Sequence, residues 1–418
     1  MKNTISTRKK ILFVLLFLYI FSPKFIFLPI DFSFLISLGA IILLCIKKEI
    51  QQIFSKNIVL FSFYIMISLL YLVNEAFHSV SFSTNSYSII FIRQILEIII
   101  PACCFTYYLF KYNINCVKYI TIFLLIQIVS CIVMTNIDIK SYIFKNIIEL
   151  NEHAAKFSYL RNFGIARNYL SWFPSCCSLM IFILFLDYCY NKKIQSLIVA
   201  ILSNIILFLN SRTSILIELF CIITTLLYLK YLRITNKNKE KVGFTKKNIL
   251  LLFFVIFLIT SIIILYISLN KDFFDNIGKW LLQAIESIGS LFGKKYSGPN
   301  TFNDLNHFYL PDDSVSLVFG YGTPEYGKMH SDIGYVRYIL YGGILLSVIL
   351  FIFYLDFFLT GYNGCKKTSE KFFLIVSYTS LLILQYKGEV FTLNEITRFL
   401  FLTTIYIGTQ KKNNRKIG

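Results

Sequence analysis

Charge is scarce in this 418-residue chain and lopsided where it occurs: 22 Asp and Glu stand against 41 Lys and Arg, and together they make up only 15% of the residues. With 56% hydrophobic residues and a mean hydropathy of +0.67, that thin a charge excludes a soluble domain. The formal +19 would suit nucleic acid only if it were gathered on a soluble domain, and no stretch reads as one. Histidine is nearly missing, with four copies, and none of the ten cysteines is spaced as C-x-x-C or paired with a His. Eight of the cysteines (45, 103, 104, 131, 176, 177, 189, 221) fall in apolar runs, and Cys116 and Cys365 in basic loops, so neither a disulfide nor a bound metal is expected. The G-x-x-x-x-G-K-[ST] nucleotide loop is lacking. Residues 1–10 are basic and 11–21 apolar, but no small-x-small site follows, so a cleavable signal is not expected. Internal repeats and low-complexity tracts are lacking too.

What the chain has in quantity is long apolar runs. They fall near 11–21, 26–46, 57–73, 88–110, 118–135, 168–190, 194–210, 212–232, 248–269, 333–360, 371–386 and 391–409. This predicts an all-α polytopic integral membrane protein with about 12 transmembrane helices. Placing the N-terminus in the cytoplasm makes 47–56, 111–118, 191–193, 230–247, 366–371 and 411–418 the inner segments, and every one is rich in Lys or Arg, as the positive-inside rule requires. The expected organisation is then helices 1–9 with short loops over 1–269, one long extracytoplasmic loop over 270–332 between helices 9 and 10, and helices 10–12 with a cytoplasmic tail over 333–418. All four histidines, His78, His153, His307 and His330, lie in segments assigned to the outer face. A transporter of inverted halves should show matched segments, whereas this chain has one outsized outer loop with amphipathic stretches such as 273–292.

Three places combine cations with glycine or a helix start. In 319–343, FGYGTPEYGKMHSDIGYVRYILYGG, glycines and Pro324 make an irregular approach to an apolar helix that Ser331 or Asp332 can cap. If helical throughout, His330, Gly334, Arg337 and Tyr341 share a face, with Gly342 and Gly343 allowing close helix contact below. A base would then sit at the water interface with a cation roughly 10 Å deeper. Otherwise His330 is a loop histidine and Arg337 a snorkelling side chain. In the second place, N-S-R-T-S at 210–214, Arg212 opens a helix, where its charge joins free backbone amides in a way that suits a phosphate; a polar residue in a short turn is the plainer account. In the third, R-N-F-G-I-A-R-N at 161–168, Arg161, Gly164 and Asn168 share a face if helical, and Arg161 and Arg167 could hold a diphosphate or lipid headgroups.

Other charges in the apolar runs have local partners: Arg93 with Glu97 at i, i+4, and Glu395 with Arg398 at i, i+3. Glu218 has none in its own helix and is either the partner of an Arg elsewhere or a functional carboxylate. The 28 Tyr and 43 Phe could stack on sugars, though most belong to lipid-facing or interfacial positions.

An outer loop ending in F-G-x-G, then H-S-D-x-G-Y and a helix with a Gly-Gly step, resembles the segment closing the large periplasmic loop of O-antigen polymerases (Wzy type) and O-antigen ligases. S-R-T-S is similar to the S-R element of that superfamily, and R-N-F-G-x-x-x-N to its R-x-x-G...N element, in the same order along the chain. The resemblance implies a bacterial inner-membrane glycosyltransferase with both termini cytoplasmic. Its donor would be a polyprenyl-diphosphate-linked oligosaccharide, it would need no metal or other cofactor, and a chain-length regulator (co-polymerase) is the protein partner it brings. By the same resemblance His330 takes the proton from the acceptor hydroxyl or orients it, while Arg212, Arg161, Arg337 and Arg167 bind the diphosphate. Ligases commonly carry H-N where this chain has Ser331, which leans toward a polymerase. A ligase, or a transporter or flippase of lipid-linked glycans, is the alternative.

Overall fold

A computed structural model describes residues 2–28, 31–79, 86–149, 161, 164–166, 171–235, 310–324, 331 and 333–413. Regular structure among them is helical. In chain order the helices are α1 Lys2–Phe21, α2 Phe32–Ile46, α3 Lys48–Lys56, α4 Ile58–Phe77, α5 Tyr87–Lys111, α6 Cys116–Val133, α7 Ile137–Asn146, α8 Trp172–Asn191, α9 Ile194–Asn210, α10 Arg212–Thr235, α11 Ser314–Phe319, α12 Gly334–Gly364, α13 Thr368–Leu384 and α14 Glu395–Asn413. Every expected apolar run has a helix over it except 248–269, which lies outside the described residues, as does most of the expected 270–332 loop. Six helices are long and apolar enough to cross a membrane (α4, α5, α6, α8, most of α10, and α12), which makes this an all-α membrane protein. Three helices were not expected. The amphipathic α3 lies inside a basic inner segment, and α7 and α11 are short helices capped by Asn136 and Asp313. Asn136 Oδ1 accepts from the amides of Asp138 (3.0 Å) and Ile139 (3.1 Å), and Asp313 Oδ1 from Ser316 (2.7 Å).

Two compact units emerge, 1–114 with 302–418, and 115–301. In the first, α12 packs against α4, α11, α13 and α14, while α5 packs on α2, α3 and α14. α5 is not a regular helix throughout: Ile95–Ile99 is π-helical, just ahead of Pro101. Proline lacks the amide that would bond the carbonyl four residues back, and its ring crowds that carbonyl, so the helix widens there. The hydroxyl of Tyr19 donates to the Ile98 carbonyl (2.9 Å) in the widened turn.

The same turn carries Glu97, 3% exposed, and here Arg93 from one of the two pairs expected from sequence spacing and Arg398 from the other meet on one carboxylate. Arg93 Nε donates to Glu97 Oε1 (2.7 Å), as its spacing suggested. Arg398, 1% exposed, reaches Glu97 Oε2 (3.4 Å) from the far end of the chain and donates to the Tyr19 carbonyl (3.1 Å). Ser33 Oγ adds a hydrogen bond of 2.9 Å to Oε2. A carboxylate and a guanidinium this deep are tolerable only because each has several partners.

In the second unit α8 is the centre, packing against α6, α9 and α10. Its apolar residues go all the way round, and 89% of its most apolar stretch is buried, as expected of a helix with no solvent or lipid face. Small hydroxyls bring α8 and α10 together: Ser175 Oγ pairs with Ser214 Oγ (3.0 Å), and Ser178 Oγ donates to the Ser214 carbonyl (3.0 Å).

Candidate functional site

The first unit holds the F-G-Y-G segment and the helix that follows it. α12 is broken at Gly343, whose φ of 69° and ψ of −177° belong to a region that only glycine occupies comfortably. The break leaves the carbonyls of Leu340 and Tyr341 without their usual helical donors. Residues 320–322 supply replacements: Tyr321 N donates to Leu340 O (2.6 Å) and Gly322 N to Tyr341 O (3.0 Å), while Asn74 Nδ2 also donates to Tyr341 O (2.9 Å). Irregular backbone about 13 Å along a membrane helix survives only when protein satisfies it in this way. The two strands of chain touch so closely that a Cβ on Gly343 would run into the Val318 carbonyl, and one on Gly320 into the Tyr341 carbonyl. The Gly-Gly step, read from sequence as a close helix contact, is therefore a helix break locked by a loop; Gly342 alone makes the side-chain contacts expected of the pair, against Leu346 and Tyr71.

Around that lock lies a buried polar cluster. Glu75, 0% exposed, takes hydrogen bonds from Ser88 N (3.0 Å), Ser88 Oγ and Tyr341 Oη, so three donors satisfy a buried carboxylate that has no ion-pair partner among the described residues. Tyr341 Oη in turn accepts from Tyr87 N (3.1 Å), and the Tyr87 and Tyr341 rings stack in parallel with centroids 3.9 Å apart. Tyr87 Oη donates to Glu389 Oε1, which also accepts from Arg337 Nε at 2.6 Å. The helix begins at Gly334, whose amide bonds the Gln385 carbonyl (2.8 Å), and Ser331 Oγ accepts from Ile333 N (3.1 Å) in a local turn. Ser331 thus braces the entry without capping α12, and Asp332 lies outside the described residues. Gly334, Arg337 and Tyr341 are on α12, whereas position 330 precedes the helix, so the face expected to carry His330 with them starts at Gly334. His330 itself lies outside the described residues. Tyr71, Tyr87, Tyr338 and Tyr341 are all buried against one another, so these aromatics build core and offer no exposed face to a sugar.

The other two motifs belong to the second unit. The stretch 164–166 is not helical, so the expected Arg161, Gly164, Asn168 face does not form. A side-chain amide holds it instead: Gln127 Nε2 donates to Ile165 O (2.9 Å) and Ile165 N donates to Gln127 Oε1 (2.8 Å). Gly164 permits this approach, since a Cβ there would strike Gln127 Oε1 and lie 2.9 Å from Phe173. Arg161 is half-buried; Arg167 and Asn168 lie outside the described residues. In S-R-T-S, Ser211 Oγ accepts from Ser214 N (3.3 Å) at the start of α10, and Ser214 is buried on α8. Arg212 is the first backbone residue of α10, as expected, and its side chain lies outside the described atoms. One turn and a half along, Glu218 is 2% exposed and its Oε2 has no hydrogen-bond partner among the described residues.

Sequence reasoning missed Gln127, Glu75 and Glu389. A lone Gln inside an apolar run was the available signal for the first; Glu75 and Glu389 stand at the ends of spans, where a single acid draws no notice. Compared with family models, curated proteins and solved structures, the chain matches none.

Proposed function

We propose that this chain is a polysaccharide polymerase that transfers a growing O-antigen or capsule-type glycan from its polyprenyl-diphosphate carrier to the next lipid-linked repeat unit at the outer face of the cytoplasmic membrane. In that reaction an acceptor hydroxyl attacks the anomeric carbon of the carrier-linked sugar. The C–O bond to diphosphate breaks, and the polyprenyl diphosphate leaves with the electron pair. His330 takes the hydroxyl proton, and Arg212, Arg161, Arg337 and Arg167 balance the charge gathering on the leaving group. No nucleotide sugar enters.

The observation that carries the reading is the lock between F-G-Y-G and α12. Each glycine at positions 320 and 343 meets a steric need that alanine would violate, and the amides of 321 and 322 answer carbonyls of the broken helix. A motif used this fully is a built feature, and the chain it anchors leads directly to His330 and Arg337. The Gln127 clamp gives the R-N-F-G element the same character. Arg337 is held by Glu389, so diphosphate would have to share or replace that carboxylate.

The test is a gel of surface glycan from cells lacking the gene, complemented with wild type or His330→Ala. A polymerase leaves one repeat unit on its lipid acceptor in the deletion strain, and wild type restores the ladder while His330→Ala and Arg212→Ala, present at normal level in the membrane, do not. Finished polymer stranded on the carrier would make the protein a ligase, and repeat units accumulating on the inner leaflet would make it a transporter. A full ladder from His330→Ala removes that histidine from the mechanism.

A further inference from the structure

At the lysine-rich end of the first unit, α3 and the end of α5 line an open cavity of about 480 Å³. Pockets of this size hold small ligands or headgroups. Lys56, Lys111, Glu49 and Gln52 supply its polar walls, with Tyr107 and Phe110 beside them. Lys111 is aimed by Tyr107: its Nζ donates to the hydroxyl (3.1 Å) and sits 5.3 Å from the ring centroid. α3 is short and two-faced, with Ile50 and Ile53 buried and Glu49, Gln51 and Gln52 outward, and it joins the apolar helices α2 and α4. A helix of that kind between two such neighbours lies along the membrane surface. Flanking it, Ile46, Ile58 and Val59 are more than half exposed. The cavity thus offers charge at headgroup level beside bare apolar surface at acyl-chain level.

We propose that this cavity binds the headgroup of a glycerophospholipid, its phosphate between Lys56 and Lys111 and its donor end, a hydroxyl or an ammonium, at Glu49 and Gln52. Two lysines against one glutamate leave a single positive charge, which matches the single negative charge of a phosphodiester. Free phosphate carries more negative charge, has no tails for Ile46, Ile58 and Val59, and is repelled by Glu49. Phosphatidylcholine has the phosphodiester and a cation that Glu49 attracts, but no N–H or O–H beyond the phosphate, so it forgoes the hydrogen bonds to Glu49 and Gln52. This site is independent of the glycan chemistry proposed above, and its occupancy is read without any activity.

The full-length protein in detergent micelles is titrated with phosphatidylglycerol, phosphatidylethanolamine, phosphatidylcholine and inorganic phosphate, and bound lipid is counted by native mass spectrometry. Phosphatidylglycerol and phosphatidylethanolamine are expected to bind about tenfold more tightly than phosphatidylcholine. The double variant Lys56→Gln, Lys111→Gln, checked for unchanged helix content, should lose about thirtyfold for both, at roughly one kcal/mol for each lysine near a lipid phosphate. Lys366→Gln with Lys367→Gln, in the basic turn before α13, should change nothing. Equal binding of phosphatidylcholine, an equal loss in the Lys366 and Lys367 control, or displacement of lipid by inorganic phosphate at equal concentration would each overturn the assignment.

Discussion

Gly343→Ala should be among the most damaging single-methyl changes available in this protein. A non-glycine residue held at φ 69°, ψ −177° costs about 1–3 kcal/mol in backbone strain alone. The new Cβ would also collide with the Val318 carbonyl, so the 318–322 segment must move away. Moving it breaks the Tyr321 to Leu340 and Gly322 to Tyr341 hydrogen bonds, worth about 1 kcal/mol each. Together these come to about 3–5 kcal/mol. Two neighbours calibrate the number. Gly342→Ala is in helical conformation and meets Leu346 and Tyr71 side chains at 2.8–3.0 Å, which can yield, so about 1–2 kcal/mol is expected. Gly39→Ala, inside α2 with nothing within 4 Å, should stabilise by about 0.5–1 kcal/mol through helix propensity. The assay is reversible unfolding of the purified protein in mixed micelles, titrated with a denaturing detergent. If Gly343→Ala falls within 1 kcal/mol of wild type, or ranks below Gly342→Ala, the lock is not what holds the loop to α12.

Gln127→Leu should cost about 1–2 kcal/mol, because it removes two hydrogen bonds and leaves the part-buried Ile165 amide and carbonyl without them; amide exchange at Ile165 should quicken, and an unchanged rate would refute the clamp. Arg398→Met should lower stability by about 1.5–3 kcal/mol, by leaving Glu97 only Arg93 and Ser33 and taking a donor from the Tyr19 carbonyl, and Arg93→Met, at a site 30% exposed, by clearly less; equal losses would mean the two cations are interchangeable. Burial pushes the Lys140 amine down from 10.5 to about 8. Below pH 8 folded and unfolded chains both carry the charge; between 8 and 10.5 the unfolded chain binds more protons, so stability should rise with pH across that window. Unfolding of wild type and Lys140→Met at pH 7.5 and 10 checks this, and a rise that persists in Lys140→Met would assign it to another group.

Apolar runs were legible because a bilayer-length helix writes itself as composition. The break in α12 was only half legible. Glycine serves close packing and forbidden backbone angles equally well, and Gly342 and Gly343, side by side, do one each. α3 hid because its lysines read as loop charge, although Ile50 and Ile53 already marked a helical face. Arg398 was matched to Glu395 by spacing, and nothing local could reveal Glu97, 301 positions away, as a partner. The R-N-F-G stretch was read on a helical wheel, and its actual fixing by Gln127 is a tertiary contact that spacing does not encode.

The lock also fixes two ends of a short excursion. Residues 321 and 322 are tied to Leu340 and Tyr341, three and two positions before the break at Gly343, and Gly334 is tied to Gln385, so the connection between them starts and finishes at set points. Closing a loop between fixed ends grows only logarithmically with its length, about 0.6 kcal/mol for each doubling. Inserting a few residues between 323 and 331 should therefore leave both anchors and the whole bundle intact while shifting whatever that connection presents. Shape and presentation are thus separable here: the anchors belong to the fold, and a change of length between them leaves the fold in place.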